Sequence, residues 1–425
     1  MATTSPPVGF TADPAVPSRD VLLDADSVAE QLGRISHQDS TIESVRLRRV
    51  KYRIGESLRV VYDVVADGRD FVMSARTFPN SADVFRTAEP DAERVLGMPG
   101  ISHDSRNHAV WWTLPNDRKL RNVGTLLDPP VRVRRSSGVA WDQSRLVEYA
   151  PERSATARLF DAHGQISGYA KAYRDRDVLD VAKQYNRVAA SVAFLDGVRT
   201  PRALGWARPD RILVLEPMRG RVWPQLPAEM RPLAMRQFGA ALANIHGLPN
   251  DFGRGPFQRY RLERVLNSAH LVAVARPDVA VAIDRLRDKL ASGPPQPGEI
   301  VCLHGDVHAN NVMFHGDQVH MIDFDQGGSG VASADIGSML ASLLTTQLID
   351  SDTAVHGLGT AFLDGYSTVR PLPSDAELRW YAAAAVVAER AIRAVNRINH
   401  STLSVLPELL NIAEAILARK RDIDD

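Results

Sequence analysis

The stretch "LHGDVHANNVMF", residues 303–314, concentrates two histidines, an aspartate and two asparagines between apolar residues. "IVCL" (300–303) predicts a short buried strand, from which "HGDVHANN" leaves as a loop. Gly305 permits a sharp bend in that loop. Polar side chains displayed at a strand end are available to a cleft, so this stretch predicts a functional site.

A β-hairpin is predicted directly after this loop. "VMF" (312–314) continues as a strand, "HGDQ" (315–318) predicts a four-residue turn, and "VHMID" (319–323) returns. The alternation of apolar and polar residues is consistent with pairing of Phe314 with Val319.

This register sets the position of two oxygen ligands. Asn311 falls opposite Ile322, so Asn311 and Asp323 leave the open end of the hairpin together, with about 5 Å between opposed residues. An amide oxygen and a carboxylate that meet beside Asp306 suit a hard cation such as Mg²⁺.

The spacing of these residues is typical of phosphoryl transfer. Asp306 and Asn311 are five residues apart, and "DFD" (323–325) follows. Such a reaction requires a carboxylate that orients and accepts the proton of the attacking hydroxyl. It also requires metal ligands that hold Mg²⁺ against the transferring phosphate.

"LHGDVHANNVMF" together with "MIDFDQGGSGVASADIGSML" (321–340) resembles the aminoglycoside phosphotransferase and choline kinase family. "ALANIHGL" (241–248) is similar to the helix of that family that ends in a histidine, here His246. The resemblance implies an ATP-dependent enzyme that phosphorylates a small-molecule hydroxyl. It implies these roles: Asp306 as catalytic base, His304 as the residue that organises the catalytic loop, Asn311 and Asp323 as Mg²⁺ ligands, and Asp335 as a structural residue.

Lys171 is the candidate ligand of the nucleotide phosphates. It lies in the apolar strand "GYAKAY" (168–173), where the family has its phosphate-binding lysine. The chain uses six lysines and 45 arginines, so a lysine inside a strand requires a reason. A compact ammonium approaches phosphates as a point charge. The alternative is an edge-strand lysine that faces water.

Other parts of the nucleotide site follow from the same resemblance. The hinge falls at "LEPMRG" (215–220), where the backbone around Glu216 and Met218 would meet the adenine. Ser154 is a candidate phosphate cap or a plain turn serine. One departure from the family is Val188, because the family helix carries at this position the glutamate that pairs with the phosphate-binding lysine. Gln184, one turn earlier, is a candidate substitute as the hydrogen-bond partner of Lys171.

Two segments, 45–78 and 145–175, alternate in polarity, and each predicts two or three antiparallel strands. Tyr52 and Tyr149 are 97 residues apart, as are Ser57 and Ser154. The segments are either a degenerate repeat or two hairpins of common design.

Helical periodicity over 179–195 and again beyond residue 221 favours the α+β class. We expect a two-lobed, protein-kinase-like fold, with a small antiparallel sheet lobe that has one helix and a larger helical lobe. The predicted order is a flexible tail (1–20), a β-rich cap module (21–138), a nucleotide-binding small lobe (139–220) and a helical catalytic and acceptor-binding lobe (221–425). The cap module is similar in layout to that of bacterial maltokinase and glucosamine kinase relatives. Its alternative roles are to cover the nucleotide lobe or to mediate dimerisation.

Composition restricts the partners. The net formal charge is zero, which argues against nucleic acid or anionic membrane as a partner. Cys302 is the only cysteine, so no intramolecular disulfide forms, and the N-terminus lacks a secretory signal. The longest apolar helix is interrupted by Glu389 and Arg390. We expect a cytoplasmic monomer or homodimer.

We therefore predict an ATP- and Mg²⁺-dependent kinase that acts on a sugar, an amino sugar or an aminoglycoside-like compound. One alternative is a zinc site made by His304, Asp306 and His308. A protein kinase is disfavoured because only eleven residues separate Asp323 from Asp335. A kinase-fold protein that binds nucleotide or another ligand without catalysis is the third alternative. The candidate acceptor-binding residues are Asp325, Glu377, Trp380, Tyr381 and Glu389.

Overall fold

The computed structural model describes residues 9–36, 41–80, 92, 95, 100–249, 258–295, 298–350 and 357–418. The chain divides into two compact units. Unit one comprises Met1–Asp180, Ala203–Glu216 and Val395–Ile398, and unit two comprises Val181–Arg202, Pro217–Ala394 and Asn399–Asp425.

The strands of both units, numbered in chain order, are short to medium in length. Their bounds are Ile42–Arg53 (β1), Ser57–Ala66 (β2), Arg69–Thr77 (β3), Ile101–Asp104 (β4), Ala109–Thr113 (β5), Gln143–Ala150 (β6), Ser154–Phe160 (β7), Ile166–Tyr173 (β8), Val198–Arg199 (β9), Ala203–Ala207 (β10), Ile212–Leu215 (β11), Arg221–Val222 (β12), Ile300–Leu303 (β13), Val312–His315 (β14), Gln318–Met321 (β15) and Gly328–Val331 (β16).

The helices lie mainly in unit two. Their bounds are Ala25–Ile35 (α1), Val123–Leu127 (α2), Val131–Ser136 (α3), Val178–Val192 (α4), Arg231–His246 (α5), Leu262–Ala275 (α6), Ala280–Leu290 (α7), Ala332–Asp350 (α8), Leu358–Ser367 (α9), Asp375–Ala385 (α10), Ile392–Arg397 (α11), His400–Ser404 (α12) and Leu406–Ala418 (α13). A π-helical segment, Val386–Ala391, joins α10 to α11. Across the described residues, the structure contains no helix with the length and apolar character needed to cross a membrane.

Unit one contains two five-stranded sheets. The first has the order β1-β2-β3-β5-β4 and the second has the order β10-β11-β8-β7-β6. Every pair of neighbouring strands in them is antiparallel. Both predicted β segments, 45–78 and 145–175, are therefore confirmed as three-stranded meanders.

The second sheet buries one face against residues of the N-terminal region. Alternate residues of β7 and β8 point to this face because side chains alternate along a strand. A single apolar cluster joins that face to Val61, Leu120, Leu126, Val133 and Trp141. Residues of the first sheet and of the segment after it thus pack against one face of the second sheet. The role of the N-terminal module stays a prediction.

The segment before β1 is attached to the first hairpin, in contrast to the flexible tail predicted for residues 1–20. Asp13 accepts hydrogen bonds from the Tyr52 hydroxyl at 2.6 Å and the Gly55 N–H at 2.8 Å. Val16 and Arg19 are buried, and the Arg19 guanidinium lies over the Tyr52 ring. Apolar and aromatic contacts thus hold this segment in place; residues 1–8 lie outside the described residues.

Unit two combines helices with two small sheets. One sheet has the order β12-β14-β15-β9, and the other pairs β13 with β16. The helix predicted over 179–195 is present as α4, which ends at Val192, and helices predominate beyond residue 221 as predicted. Observed strands and helices confirm the α+β class and the additional N-terminal β module. The boundaries of the predicted domains stay predictions.

Candidate active site

The polar loop of residues 304–308 leaves β13 as the sequence predicts. Gly305 has a φ of 79°, a left-handed conformation that glycine adopts freely. The predicted register of the following hairpin is confirmed, since Phe314 pairs with Val319 and Val312 with Met321. The turn is tighter than predicted, because His315 and Gln318 also pair.

Asp335, in the first turn of α8, holds this loop by its backbone. Its carboxylate accepts the N–H groups of His304 at 2.7 Å and Gly305 at 3.0 Å. It also lies 3.3 Å from Nε2 of His246, whose Nδ1 is 2.9 Å from the Tyr366 hydroxyl. A carboxylate only accepts, so the proton of a neutral His246 is on Nε2. These buried contacts fit the structural role predicted for Asp335.

His304 ties the loop to the end of the hairpin. Its Nε2 donates to the carbonyl of Ile322 at 2.9 Å, and its Nδ1 accepts the N–H of Asp306 at 3.3 Å. Burial lowers the pKa of His304, and the charges of Asp335 and Asp306 oppose this only in part. A neutral ring is the form that allows Nδ1 to accept, so the pKa and the hydrogen bonds agree.

Asn311 links the loop to the hairpin from the other side. Its Nδ2 donates to the carbonyl of Asp306 at 3.0 Å, and its own carbonyl accepts the N–H of Ile322 at 2.9 Å. Because the amide nitrogen faces the Asp306 carbonyl, the Asn311 side-chain oxygen is directed away from it. The predicted opposition of Asn311 and Ile322 is confirmed.

Asp323 follows Ile322 with a φ of 63° and a ψ of 57°. This left-handed conformation is uncommon outside glycine, although aspartate tolerates it better than most residues. It turns the chain from β15 into the short 3₁₀ helix Phe324–Gln326. Strained backbone of this kind is concentrated at functional sites.

Helix α4 contacts the same loop. The Gln184 side chain donates to the carbonyl of Phe324 at 3.2 Å, and the Tyr185 hydroxyl is 3.2 Å from the Asp325 carboxylate. Gln184, predicted as a candidate partner of Lys171, thus has a hydrogen bond inside unit two. Val188 is buried with 2% of its surface exposed.

The carboxylate of Asp306 lies among cationic side chains. Its Oδ1 is 3.0 Å from Nη2 of Arg393 and 3.4 Å from Nη1 of Arg259, and its Oδ2 is 3.8 Å from Nε2 of His308. Burial alone would raise the pKa of Asp306, but His308, Arg393 and Arg259 hold it well below its usual range. Asp306 is therefore ionised at neutral pH.

Glu389 pairs with one of these arginines, Arg259, and with Arg390. It is fully buried, and its carboxylate contacts Arg259 and Arg390, both at 3.0 Å, together with the hydroxyl of Tyr260. Burial would raise the pKa of Glu389, but Arg259, Arg390 and Arg393 lower it to about 2. Nothing in the sequence distinguishes Arg259 or Arg393 from the other members of the set of 45 arginines.

The predicted acceptor-binding residues are mostly engaged in packing. Asp325, Glu377, Trp380 and Glu389 are buried. Tyr381 packs edge-on against Trp380 and against Tyr260, with ring centroids 4.9 and 5.7 Å apart. Tyr381 is the most accessible of the five and stays a candidate for contact with an acceptor.

The residues predicted for the nucleotide lie in unit one, except Met218. Lys171 is in β8, the central strand of its sheet, so it is not the edge-strand lysine of the alternative interpretation. It pairs with Leu213 and Thr156 and is half-buried. Ser154 begins β7 and occupies the same face as Thr156 because side chains alternate along a strand.

Glu216 and Met218 follow β11 in an irregular segment between β11 and β12. The chain passes from unit one to unit two between Glu216 and Pro217. This position is compatible with the predicted hinge, and the roles of Glu216 and Met218 stay predictions.

The donor set at the hairpin fits Mg²⁺. Mg²⁺ binds hard oxygen ligands, keeps several waters and takes one or two carboxylates together with substrate phosphates. Asn311 supplies an amide oxygen and Asp323 a carboxylate. In the described part of the chain, no three His, Cys, Asp or Glu side chains form a group that could hold a metal ion.

The segment between Asp323 and Asp335 is short and ordered into secondary structure. Residues 328–331 form β16, which pairs along its length with β13. This pairing returns the chain directly to α8, so the segment contains no long loop of the kind that docks a peptide in protein kinases.

Residues 169–372 match a family model described as "Phosphotransferase enzyme family". The match and the observed order of strands and helices support the kinase-like fold. No curated protein matches the chain. The similarity of the N-terminal module to maltokinase and glucosamine kinase relatives stays a prediction.

Solved structures of low sequence identity resemble most of the chain. Macrolide 2'-phosphotransferase MphH from Brachybacterium faecium is 15% identical, with a TM-score of 0.45, 71% of this chain covered and 99% of that chain. Aminoglycoside phosphotransferase APH(3'')-Id from Streptomyces rimosus is 20% identical, with a TM-score of 0.41 and coverages of 65% and 98%. A putative fructosamine-3-kinase from Thermobifida fusca is 20% identical, with a TM-score of 0.44 and coverages of 68% and 99%.

Proposed function

Because residues 169–372 belong to the phosphotransferase enzyme family, we propose that this chain is an ATP- and Mg²⁺-dependent small-molecule kinase. The acceptor is a hydroxyl group of a sugar, an amino sugar or an aminoglycoside-like compound. One observation carries the proposal. The Asn311 side chain donates a hydrogen bond to the Asp306 carbonyl, and the Asn311 carbonyl accepts a hydrogen bond from the N–H of Ile322, the residue before Asp323.

In the proposed reaction, the Asp306 carboxylate accepts a hydrogen bond from the acceptor hydroxyl. The hydroxyl oxygen bonds to the γ-phosphorus, the bond from that phosphorus to the β-phosphate oxygen breaks, and ADP leaves. The hydroxyl proton passes to Asp306. The low pKa of Asp306 makes it a weak base, which suffices because the transition state is loose and orientation of the hydroxyl matters most.

The remaining residues bind and position. Asn311 and Asp323 would hold Mg²⁺, and the bound ion would neutralise charge on the transferring phosphate. Lys171 and Ser154 contact the phosphates, and the backbone around Glu216 and Met218 meets the adenine. His304 fixes the catalytic loop to the end of the hairpin, because its ring is hydrogen-bonded to both the Asp306 N–H and the Ile322 carbonyl.

A second candidate is a kinase-fold protein that binds nucleotide or another ligand without catalysis. The buried Val188, at the position where the family helix carries a glutamate, favours it, because this position supplies no carboxylate to Lys171.

Measurement of ADP release with a panel of sugars, amino sugars and aminoglycosides tests the proposal. Wild type is compared with Asp306→Asn and with a control, Asp364→Asn, which removes a half-exposed carboxylate 3.9 Å from Arg236. Acceptor-dependent ADP release in wild type and control, with loss in Asp306→Asn, supports the kinase. If calorimetry detects nucleotide binding, but none of the three proteins shows acceptor-dependent ADP release, the second candidate is favoured.

A further inference from the structure

Two arginines contact the carboxylate that the proposed function assigns to the acceptor hydroxyl. Arg393 and Arg259 both contact Oδ1 of Asp306, at 3.0 and 3.4 Å. The other oxygen, Oδ2, is 3.8 Å from Nε2 of His308. Oδ2 is therefore the oxygen that an acceptor hydroxyl meets, with both guanidinium groups on the neighbouring oxygen.

These side chains are partly accessible. The exposed fractions are 19% for Asp306, 13% for Arg259 and 29% for Arg393. Among the described residues Arg393 has one hydrogen bond, to Asp306, whereas a guanidinium carries several N–H donors in a fixed fork. An acceptor whose hydroxyl donates a hydrogen bond to Oδ2 of Asp306 thus brings the substituents next to that hydroxyl close to the N–H donors of Arg393.

One of these arginines, Arg259, is held in place by a buried acid, Glu389, that has no capacity for a further ligand. Both oxygens of Glu389 are engaged: one by Arg259 and Tyr260, the other by Arg390 and Ser338. Glu389 lies in the π-helical segment, and Arg393 follows in α11. Such segments occur frequently at functional sites because they redirect side chains.

Charge in this group favours an anion. Three guanidinium groups, those of Arg259, Arg390 and Arg393, accompany two carboxylates, those of Asp306 and Glu389. These five side chains by themselves carry one excess positive charge in a partly desolvated place, where charges interact more strongly than in water. An ammonium group beside the reacting hydroxyl would be repelled there, and a carboxylate or phosphate would be attracted.

We propose that the acceptor is a small hydroxylated anion, whose carboxylate or phosphate group binds Arg393 and Arg259 while its hydroxyl binds Asp306. This inference rests on the proposed function. It restricts the acceptor to anionic compounds and excludes polycationic aminoglycosides. Two oxygens of a carboxylate or of a phosphate match the fork of an arginine, which accounts for the choice of two guanidinium groups.

The test uses four small probes of similar skeleton: glycerate, glycerol 3-phosphate, glycerol and the amine serinol. Binding to the full chain is measured by calorimetry with Mg²⁺ and a non-hydrolysable ATP analogue present. We expect at least one anion to bind at least about 10-fold more tightly than glycerol, and serinol more weakly than glycerol. The comparison of the two anions distinguishes carboxylate from phosphate.

Variants separate a binding role from a structural one. Arg393→Gln should remove the preference for anions, and Arg393→Lys should restore part of it. Arg285→Gln is the control, because Arg285 is exposed and pairs with Glu414 at 3.1 Å. Thermal unfolding of each variant checks that the fold is retained, and Arg393→Lys repeats the comparison if Arg393→Gln does not fold.

Anions that bind no more tightly than glycerol, or tighter binding of serinol, would overturn the inference. So would an anion preference that Arg393→Gln and Arg393→Lys leave unchanged. The proposed kinase survives those results if the nucleotide still binds and turnover still depends on Asp306. A wild-type protein that neither binds the nucleotide nor shows turnover dependent on Asp306 would instead reject the proposed function.

Discussion

Gly55 and Glu152 occupy the same position in two hairpin turns of unit one. Each is the middle residue of a three-residue turn, and each has a left-handed φ, 72° for Gly55 and 61° for Glu152. The turns are closed by equivalent hydrogen bonds, from Glu56 to Arg53 and from Arg153 to Ala150, both 3.0 Å. Glycine adopts this conformation without strain, and glutamate does not.

Buried ion pairs account for glutamate in the second turn. The Glu152 carboxylate is 1% exposed and lies 2.6 Å from Arg59 and 2.7 Å from Arg76, and it also contacts Arg118. These arginines belong to the N-terminal region, which thus holds the turn between β6 and β7. Shared turn geometry is compatible with a degenerate repeat and with two hairpins of common design, so both explanations stay open.

Replacement of Glu152 by Gln should lower the free energy of unfolding by about 3 kcal/mol, because Arg59 and Arg76 then lack their counter-charge. Urea denaturation measures this difference. Glu43→Gln, which changes an exposed β1 residue, is the control. A loss no larger than that of the control would contradict the structural role of Glu152.

The effect of Glu152 should depend on pH. Burial alone would raise the pKa of Glu152, but Arg59, Arg76 and Arg118 lower it below the ordinary value of 4.5. A group with a depressed folded pKa stabilises fully above its unfolded pKa, and the stabilisation is lost as pH falls through the folded value. The difference between wild type and Glu152→Gln should therefore be constant near neutral pH and shrink below about pH 4.5. A difference that grows on acidification would contradict this sign.

Much of the proposed site could be predicted from local sequence. The hairpin register follows from residue alternation and a short turn, and it brings Asn311 opposite Ile322. Arg259 and Arg393 were not predicted, because they reach Asp306 from positions distant in sequence and nothing distinguishes them from the other arginines. The burial of Glu152 was missed for the same reason, since its partners come from other strands.

Asp323→Asn should raise the Mg²⁺ concentration needed for half-maximal turnover by about 10-fold or more, because an amide is a weaker ligand than a carboxylate. Asparagine also tolerates the left-handed backbone at this position, so the melting temperature should change little. Titration of turnover with Mg²⁺ at saturating ATP measures the shift. An unchanged Mg²⁺ dependence would show that Asp323 is not a metal ligand.

Lys171→Met should raise the KM for ATP by about 10-fold or more, since it removes the proposed phosphate contact. Lys171→Arg should restore it only in part, because a guanidinium is broader than an ammonium. Lys289→Met, which removes an exposed lysine paired with Glu414 at 2.9 Å, is the control. Equal KM values in Lys171→Met and Lys289→Met would exclude the contact.

Single-turnover measurement of Asp306→Asn tests the central claim most directly. With a productive acceptor and saturating Mg²⁺-ATP, the rate of phosphoryl transfer should fall by about 10²-fold or more, while the affinity for nucleotide changes by less than about 3-fold. Thermal unfolding is recorded in parallel, since Arg393 and Arg259 lose the charge of Asp306. A folded Asp306→Asn variant that transfers phosphate at the wild-type rate would contradict the assignment of Asp306 as the base.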